Sequence, residues 1–354
     1  MAKKEKPNIV FILADQLAAS FLGCYGSGVN STPNLDCLAK DGVRFDRFYA
    51  TCPLCAPNRA TILTGRSPVI HGLTTNNYTL RTDCPTYAYV LKKCGYTTGG
   101  FGKFHQTPMQ LPVPENLEYL GFDKAVVSED PKWGPWIDWI RKNNPDFLDR
   151  AIAITNSHGG NVGCFPEYEL LQGAGKEDIE IKKVAFEKYL KPVLDASPWE
   201  RMYPSILPSN LHDSKFITDL GIEFIKNFVT QNSNPFFCHI SYVDPHDPYD
   251  PPVPYDTMFR PENMKEAIPA EWVEQGPEFM DKYRDDYLNF RKICDDEAAV
   301  RKMRALYHGS LKFLDDQIGR VLDYLRTSGL WENTIIVFST DHGDLMGDHG
   351  LITK

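Results

Sequence analysis

The run Cys52-Pro53-Leu54-Cys55-Ala56-Pro57-Asn58-Arg59 places a thiol, a residue of fixed φ and a guanidinium within a few positions of one another. Pro57 is tolerated in the first turn of a helix, where its missing N–H has no partner anyway. Ala60, Ile62 and Leu63 continue such a helix, and Gly65 suits its end. Cys55 is therefore expected just ahead of unpaired backbone N–H groups, an end that favours negative charge. Arg59, about one turn on, can reach back to the same spot with a fork of donors. That arrangement permits nucleophilic attack on an anion already held by the backbone. The same spacing also fits a buried apolar thiol, a redox pair of Cys52 and Cys55, or half of a zinc site.

Four further groups of chemically able residues each follow an apolar run. Residues 7–14 form one such run, typical of a strand buried in a parallel sheet, and it ends in Asp15-Gln16. Residues 96–105 read as a strand with a glycine-loosened end, whose alternation puts Lys103 and His105 on one face. Residues 235–243 lead into Asp244-Pro245-His246-Asp247-Pro248, where the prolines stiffen the loop that carries His246. Residues 334–340 deliver Asp341-His342. In open α/β sheets, ligands bind beyond the carboxyl ends of the strands. Asp15, Gln16 and Asp341 offer oxygens suited to a hard cation such as Ca2+ or Mg2+, while the nitrogen of His342 also tolerates Mn2+. Asp15 has a plainer reading as a helix cap, and His239, inside its strand, reads as a core residue.

The elements that must hold these groups are legible around them. Helices are expected after Thr32, from Cys55, over 86–94, 213–230 and 303–325, the last with apolar residues at three- and four-residue steps. Residues 43–45 and 48–50 read as strand. Between 106 and 211 the pattern dissolves into recurrent Pro, Trp and Tyr, with helical pieces at 137–142 and 178–190. This excursion is expected to wall the substrate pocket. The whole is an α/β arrangement, a mostly parallel sheet flanked by helices.

Composition narrows the function. A net charge of -9 and the lack of a basic run argue against nucleic-acid binding, so an anionic substrate needs a local positive site. Nine scattered cysteines look like reduced thiols and not a disulfide framework. No stretch is long enough to span a membrane. Cytoplasm is the default location, with periplasm or secretion if a leader was removed.

Read as a whole, Cys55-Ala-Pro57-Asn-Arg59 followed by Ala-Thr-Ile-Leu-Thr-Gly-Arg66 resembles the signature of the type I sulfatases, members of the alkaline phosphatase superfamily. Their commonest form has Ser at the place of Asn58. Gly102-Lys103-Phe104-His105, the Pro-rich loop around His246, and the run from Asp341 through His349 to Lys354 resemble further motifs of that family. The resemblance implies that Cys55 is oxidised to formylglycine by a formylglycine-generating enzyme, and that the aldehyde hydrate attacks sulfur. It implies metal ligands at Asp15, Gln16, Cys55, Asp341 and His342, with Ca2+ expected and Mg2+ or Mn2+ as alternatives. Many relatives carry Asp where this chain has Gln16, and Asn where it has His342. Arg59, Lys103, His105, His246 and Lys354 would bind sulfate, neutralise charge or protonate the leaving oxygen. The expected substrate is a small or carbohydrate sulfate ester. A phosphonate or phosphate ester hydrolase of the same superfamily and an inactive relative that binds sulfated glycans are the alternatives. Residues 1–354 would form the N-terminal catalytic domain, and the smaller C-terminal subdomain of such enzymes is absent from this chain.

Overall fold

The computed structural model of the chain describes residues 6–76, 78–108, 117–155, 176–199, 201–231, 234–269 and 293–354. Five strands form one sheet in the order β3-β2-β4-β1-β5: β1 (Asn8–Ala14), β2 (Thr97–Gly102), β3 (Lys124–Val127), β4 (Phe236–Ser241) and β5 (Thr334–Thr340). Every pairing is parallel, with Ile9 opposite Phe237 and Ile335, and Gly102 opposite Ser241 and Val127. Continuous apolar composition suits strands covered on both faces. Val10 and Ile12 pack into the larger core, and Ile9 and Phe11 pack against the smaller one, as a two-residue repeat requires.

The helices are α1 (Pro33–Asp41), α2 (Cys55–Thr64), α3 (Pro68–His71), α4 (Tyr87–Lys93), α5 (Pro135–Asn143), α6 (Leu148–Ile154), α7 (Lys176–Ala185), α8 (Lys191–Asp195), α9 (Asp213–Gln231) and α10 (Glu297–Thr327). The larger core is filled from α9 and α10 by Phe216, Ile217, Phe224, Ile225, Leu311, Leu314 and Ile318. The smaller is filled from α2 and α4 by Ala56, Ala60, Leu63 and Ala88. Asp296 caps α10, accepting from the N–H groups of Ala298 and Ala299 at 3.0 and 3.2 Å. No helix among the described residues is long and apolar enough to cross a membrane.

Backbone pairing runs one step past the strand ends and holds the first loop residues in place. Asp15 N donates to Asp244 O at 3.3 Å, Asp341 N to Ala14 O at 3.3 Å, and Lys103 N to Ser241 O at 2.9 Å. Gly102 makes the last of these possible. Its φ is +99°, and a Cβ there would stand 1.8 Å from the Ser241 carbonyl oxygen.

Three expectations need correction. Residues 43–50 form no strand: Val43, Phe45, Phe48 and Tyr49 are exposed, and no described strand pairs with them. Their alternation satisfies one face of a strand but leaves backbone N–H and C=O groups without a ladder. The 106–211 excursion is more regular than its sequence pattern, for it carries β3 and α5–α8 and sends Trp136, Ile140 and Ile152 into the larger core. Residues 109–116, 156–175 and 200 of it lie outside the described residues. β3 itself was not expected, because four residues give too little periodicity to read.

Candidate active site

Cys55 is the first residue of α2 and is almost fully buried. Leu54 provides no side-chain cap, yet the first turn is largely satisfied: Ala56 N donates to Asn76 Oδ1 and Asn58 N to the Leu54 carbonyl oxygen, both at 3.1 Å, and Pro57 has no N–H. The Cys55 Sγ lies 3.1 Å from His342 Nε2 and 4.0 Å from Asp15 Oδ1. His342 Nε2 is 3.7 Å from both Asp15 Oδ1 and Asp341 Oδ1. The donor atoms of Asp15, Cys55, Asp341 and His342 thus all fall within 4.8 Å of one another. His342 Nδ1 sits 3.0 Å from the Gly343 carbonyl oxygen. A carbonyl only accepts, so Nδ1 carries the hydrogen in the neutral ring and the Nε2 lone pair faces the other three donors. Two carboxylates, an imidazole nitrogen and a sulfur this close together fit a divalent cation.

Arg59 spends its fork inside the cage. Nε donates to Asp341 Oδ2 at 2.8 Å and Nη2 to Asp15 Oδ2 at 3.1 Å, while Nη1 donates to Ser241 Oγ and the Lys103 carbonyl oxygen, both at 2.8 Å. Arg59, expected to face the anion, thereby ties the two carboxylates to one another. Asn58, the departure from the commonest motif, also ties the helix down. Its amide nitrogen donates to the Asp341 carbonyl oxygen, and its Oδ1 accepts from Thr51 N at 3.1 Å.

Around this cage stand the other residues singled out in the sequence. Lys103 is fully buried, with Nζ against Asp15 Oδ2 and Asp130 Oδ1. His105 holds a left-handed φ of 53°, and both its ring nitrogens are buried without a hydrogen bond. Glu129 Oε1 braces that turn by accepting from Phe104 N at 3.2 Å and His105 N at 2.8 Å. His246 Nε2 is 2.8 Å from Lys354 Nζ, and its Nδ1 is 2.6 Å from the Asp247 carbonyl oxygen and 3.3 Å from Asp247 Oδ1. Gln16 Nε2 donates to Asp247 Oδ1 at 3.1 Å and Asp344 Oδ2 at 2.6 Å. With its amide nitrogen so committed, Gln16 turns Oε1 to Lys354 Nζ at 2.6 Å. Residues from five separate stretches therefore meet at one end of the sheet.

The electrostatics reflect burial and crowding. Burial opposes the Cys55 thiolate, yet Lys354, Lys103 and His342 together hold the thiol well below its ordinary range. Burial opposes the charge on His342 too, but Asp341 and Cys55 raise its pKa to about 9. Burial and then Asp15 raise the Asp341 carboxyl. At Asp15, Lys103 and Arg59 overcome burial and hold the carboxyl far below the usual range. Burial lowers His239 to about 3, which keeps it a neutral core ring beside Phe11 and Tyr87.

Five functional neighbours were not singled out in the sequence: Glu129, Asp130, Arg201, Asp247 and Asp344. They hold the ring, the ammonium or the amide that faces the pocket. The available signal was an acidic residue beside proline in Glu129-Asp130-Pro131 and Asp247-Pro248.

The parallel sheet flanked by helices, with its candidate metal cage beyond the strand ends, is a fold shared with members of the alkaline phosphatase superfamily. A family profile described as Sulfatase matches residues 7–354, and the chain belongs to that family. An arylsulfatase of Clostridium perfringens is 31% identical over 350 residues, covering 99% of this chain and 65% of the relative. A choline-sulfatase of Rhizobium meliloti is 27% identical over 99% of this chain and 60% of its own length. Among solved structures, a phosphonate monoester hydrolase from Silicibacter pomeroyi superposes with a TM-score of 0.71 at 25% identity, over 98% of this chain and 64% of that one. The chain thus spans 60–65% of the length of these relatives.

Proposed function

We propose that the chain forms the catalytic part of a sulfuric ester hydrolase whose nucleophile is formylglycine made from Cys55 and whose resident ion is a divalent cation. The observation that carries this is the buried group of Asp15, Cys55, Asp341 and His342 at the start of α2. Asp15, Asp341, His342 and oxidised residue 55 would hold the cation, whereas the Gln16 Oε1, expected as a further ligand, accepts from Lys354 Nζ and would have to leave it to join them. That ion supplies positive charge against the reacting oxygens. Oxygen donors suit Ca2+ or Mg2+, and the nitrogen of His342 makes Mn2+ a direct competitor.

The chain's own residues have distinct tasks in this reading. The Lys103 ammonium and the His105 ring, whose nitrogens are buried without a hydrogen bond, would hydrogen-bond the sulfate oxygens. Lys354 Nζ adds charge from the opposite side. Arg59 keeps Asp15 and Asp341 aligned. Asp247 raises the pKa of His246 against both burial and Lys354; its Nδ1 faces the Asp247 carbonyl oxygen and its Nε2 accepts from Lys354 Nζ at 2.8 Å, so His246 would give the departing alcohol oxygen a proton that it shares with that ammonium. Sulfate esters of sugars, choline and aryl alcohols are all candidate substrates.

The test couples two measurements. Protein co-produced with a formylglycine-generating enzyme should show the aldehyde at residue 55 by peptide mass spectrometry. It should then release sulfate from at least one of a panel of sulfated sugars, choline sulfate and a chromogenic aryl sulfate. A thiol at residue 55 throughout, with no sulfate released, would replace this reading with a glycan-binding relative. A second reading, phosphonate or phosphate ester hydrolysis, draws support from the likeness to phosphonate monoester hydrolases and to a multifunctional alkaline phosphatase superfamily protein of Trinickia caryophylli. Side-by-side turnover of an aryl sulfate and an aryl phosphodiester decides between them.

A further inference from the structure

The geometry points to Asp130 as a specificity-determining residue: its carboxylate offsets Lys103 and suits the pocket to tetrahedral groups bearing one negative charge, as in a sulfate monoester, over dianionic phosphate monoesters. This rests on the sulfate-ester reading above. Asp130 is buried and lies outside the cation cage, yet it touches the ammonium of Lys103. The other partner of that ammonium is Asp15, a cage carboxylate. A cation in the cage would draw on the charge of Asp15, which leaves Asp130 as the carboxylate in contact with Lys103 that is not itself a cage ligand.

The balance of charge is narrow. Arg59, Lys103, Lys354 and Arg201 are cations at the pocket, and Asp15, Asp341, Asp130 and Asp247 oppose them. Asp247 is taken up by Arg201. Glu129 and Asp344 hold backbone and amide N–H groups. Net attraction for an anion is thus left to the cation and to the imidazoles. Lys103 and His246 keep Asp130 ionised although burial opposes it, so its field reaches the groups that line the pocket. Coulomb energy is linear in ligand charge, so removing the Asp130 charge favours a dianion more than a monoanion.

Calorimetric titration of the cation-loaded protein with sulfate, a dianion, and methanesulfonate, a tetrahedral monoanion, tests this without turnover. Asp130→Asn should tighten sulfate about tenfold relative to methanesulfonate, or ~1.4 kcal/mol. Asp130→Ser should move the ratio the same way, and Asp130→Glu should leave it unchanged. Equal shifts for both anions would mean that Asp130 only orients Lys103, and the proposal fails. Collapse of the fold in both charge-removing variants would assign Asp130 to stability and equally overturn it. Absence of sulfate-ester turnover in the wild-type protein would sink the hydrolase reading but leave this anion ratio measurable.

Discussion

Arg59 shows how a single side chain can tie the parts of a site together. Its three nitrogens serve two carboxylates, a hydroxyl and a carbonyl, all buried. A lysine keeps the charge but cannot reach four acceptors in a plane. Arg59→Lys should therefore destabilise the metal-free protein by about 1–3 kcal/mol in denaturant unfolding, through acceptors left unmet. It should also weaken cation affinity in chelator competition, because Asp15 and Asp341 lose their shared register. Unchanged cation affinity would return Arg59 to the role read from the sequence, that of a direct anion contact. The residues whose placement at the site was legible were those whose type and motif coincide: Cys55, Asp15, His246 and Asp341. Asp130 and Asp247 were not, because a carboxylate serving another side chain leaves the same trace in sequence as a solvated one.

Elements were legible in proportion to their length and periodicity. The apolar runs of β1, β4 and β5 and the stepwise pattern of α10 announced themselves, whereas β3 is too short, and at 43–50 a clear alternation meets no partner strand. A strand is half a structure, and its other half is not written in the same stretch. The same limit hid what the loops bring together. The loop after β3, the start of α9 and the loop after β4 enclose Lys132, Asp213, Asp244 and Asp250, all buried. Burial, with Asp244 and Asp213 nearby, raises Asp250 from 3.8 to about 7 although Lys132 opposes the shift, and burial raises Asp213 to about 6. Folded Asp250 thus keeps a proton that the unfolded chain gives up, and the folded state loses stability as pH climbs from about 4 to about 7. Asp250→Asn removes that loss. The stability of the variant relative to wild type should grow across this window, by about 1–3 kcal/mol, and level off above it. Thermal unfolding at pH 5 and pH 8 checks this, and a gap independent of pH would show that Asp250 does not titrate there.

On the scale of the whole molecule, the sheet is asymmetric. β2, β4 and β1 are each paired on both sides, while β5 ends the order with one edge unpaired among the described residues. Its seven residues are only half covered, and Ile335 is exposed. Elsewhere Phe45 and Phe48 lie with ring centroids 6.1 Å apart, tilted by 56°, and stand in solvent with Val43 and Tyr49. An unpaired edge of β-branched residues and an exposed aromatic cluster are both surfaces that recruit another chain. Net charge of -9 opposes close approach, but screening at physiological salt confines that repulsion to about 8 Å. The 354-residue chain by itself should therefore bind a hydrophobic dye and show an apparent mass that rises with concentration in light scattering. Phe48→Lys combined with Ile335→Lys should suppress both effects while cation binding at the Asp15–His342 cage stays as it was, since neither residue belongs to it. Self-association that survives the double substitution would place the sticky surface elsewhere, and loss of cation binding would mean that the edge of the sheet helps to hold the cage in shape.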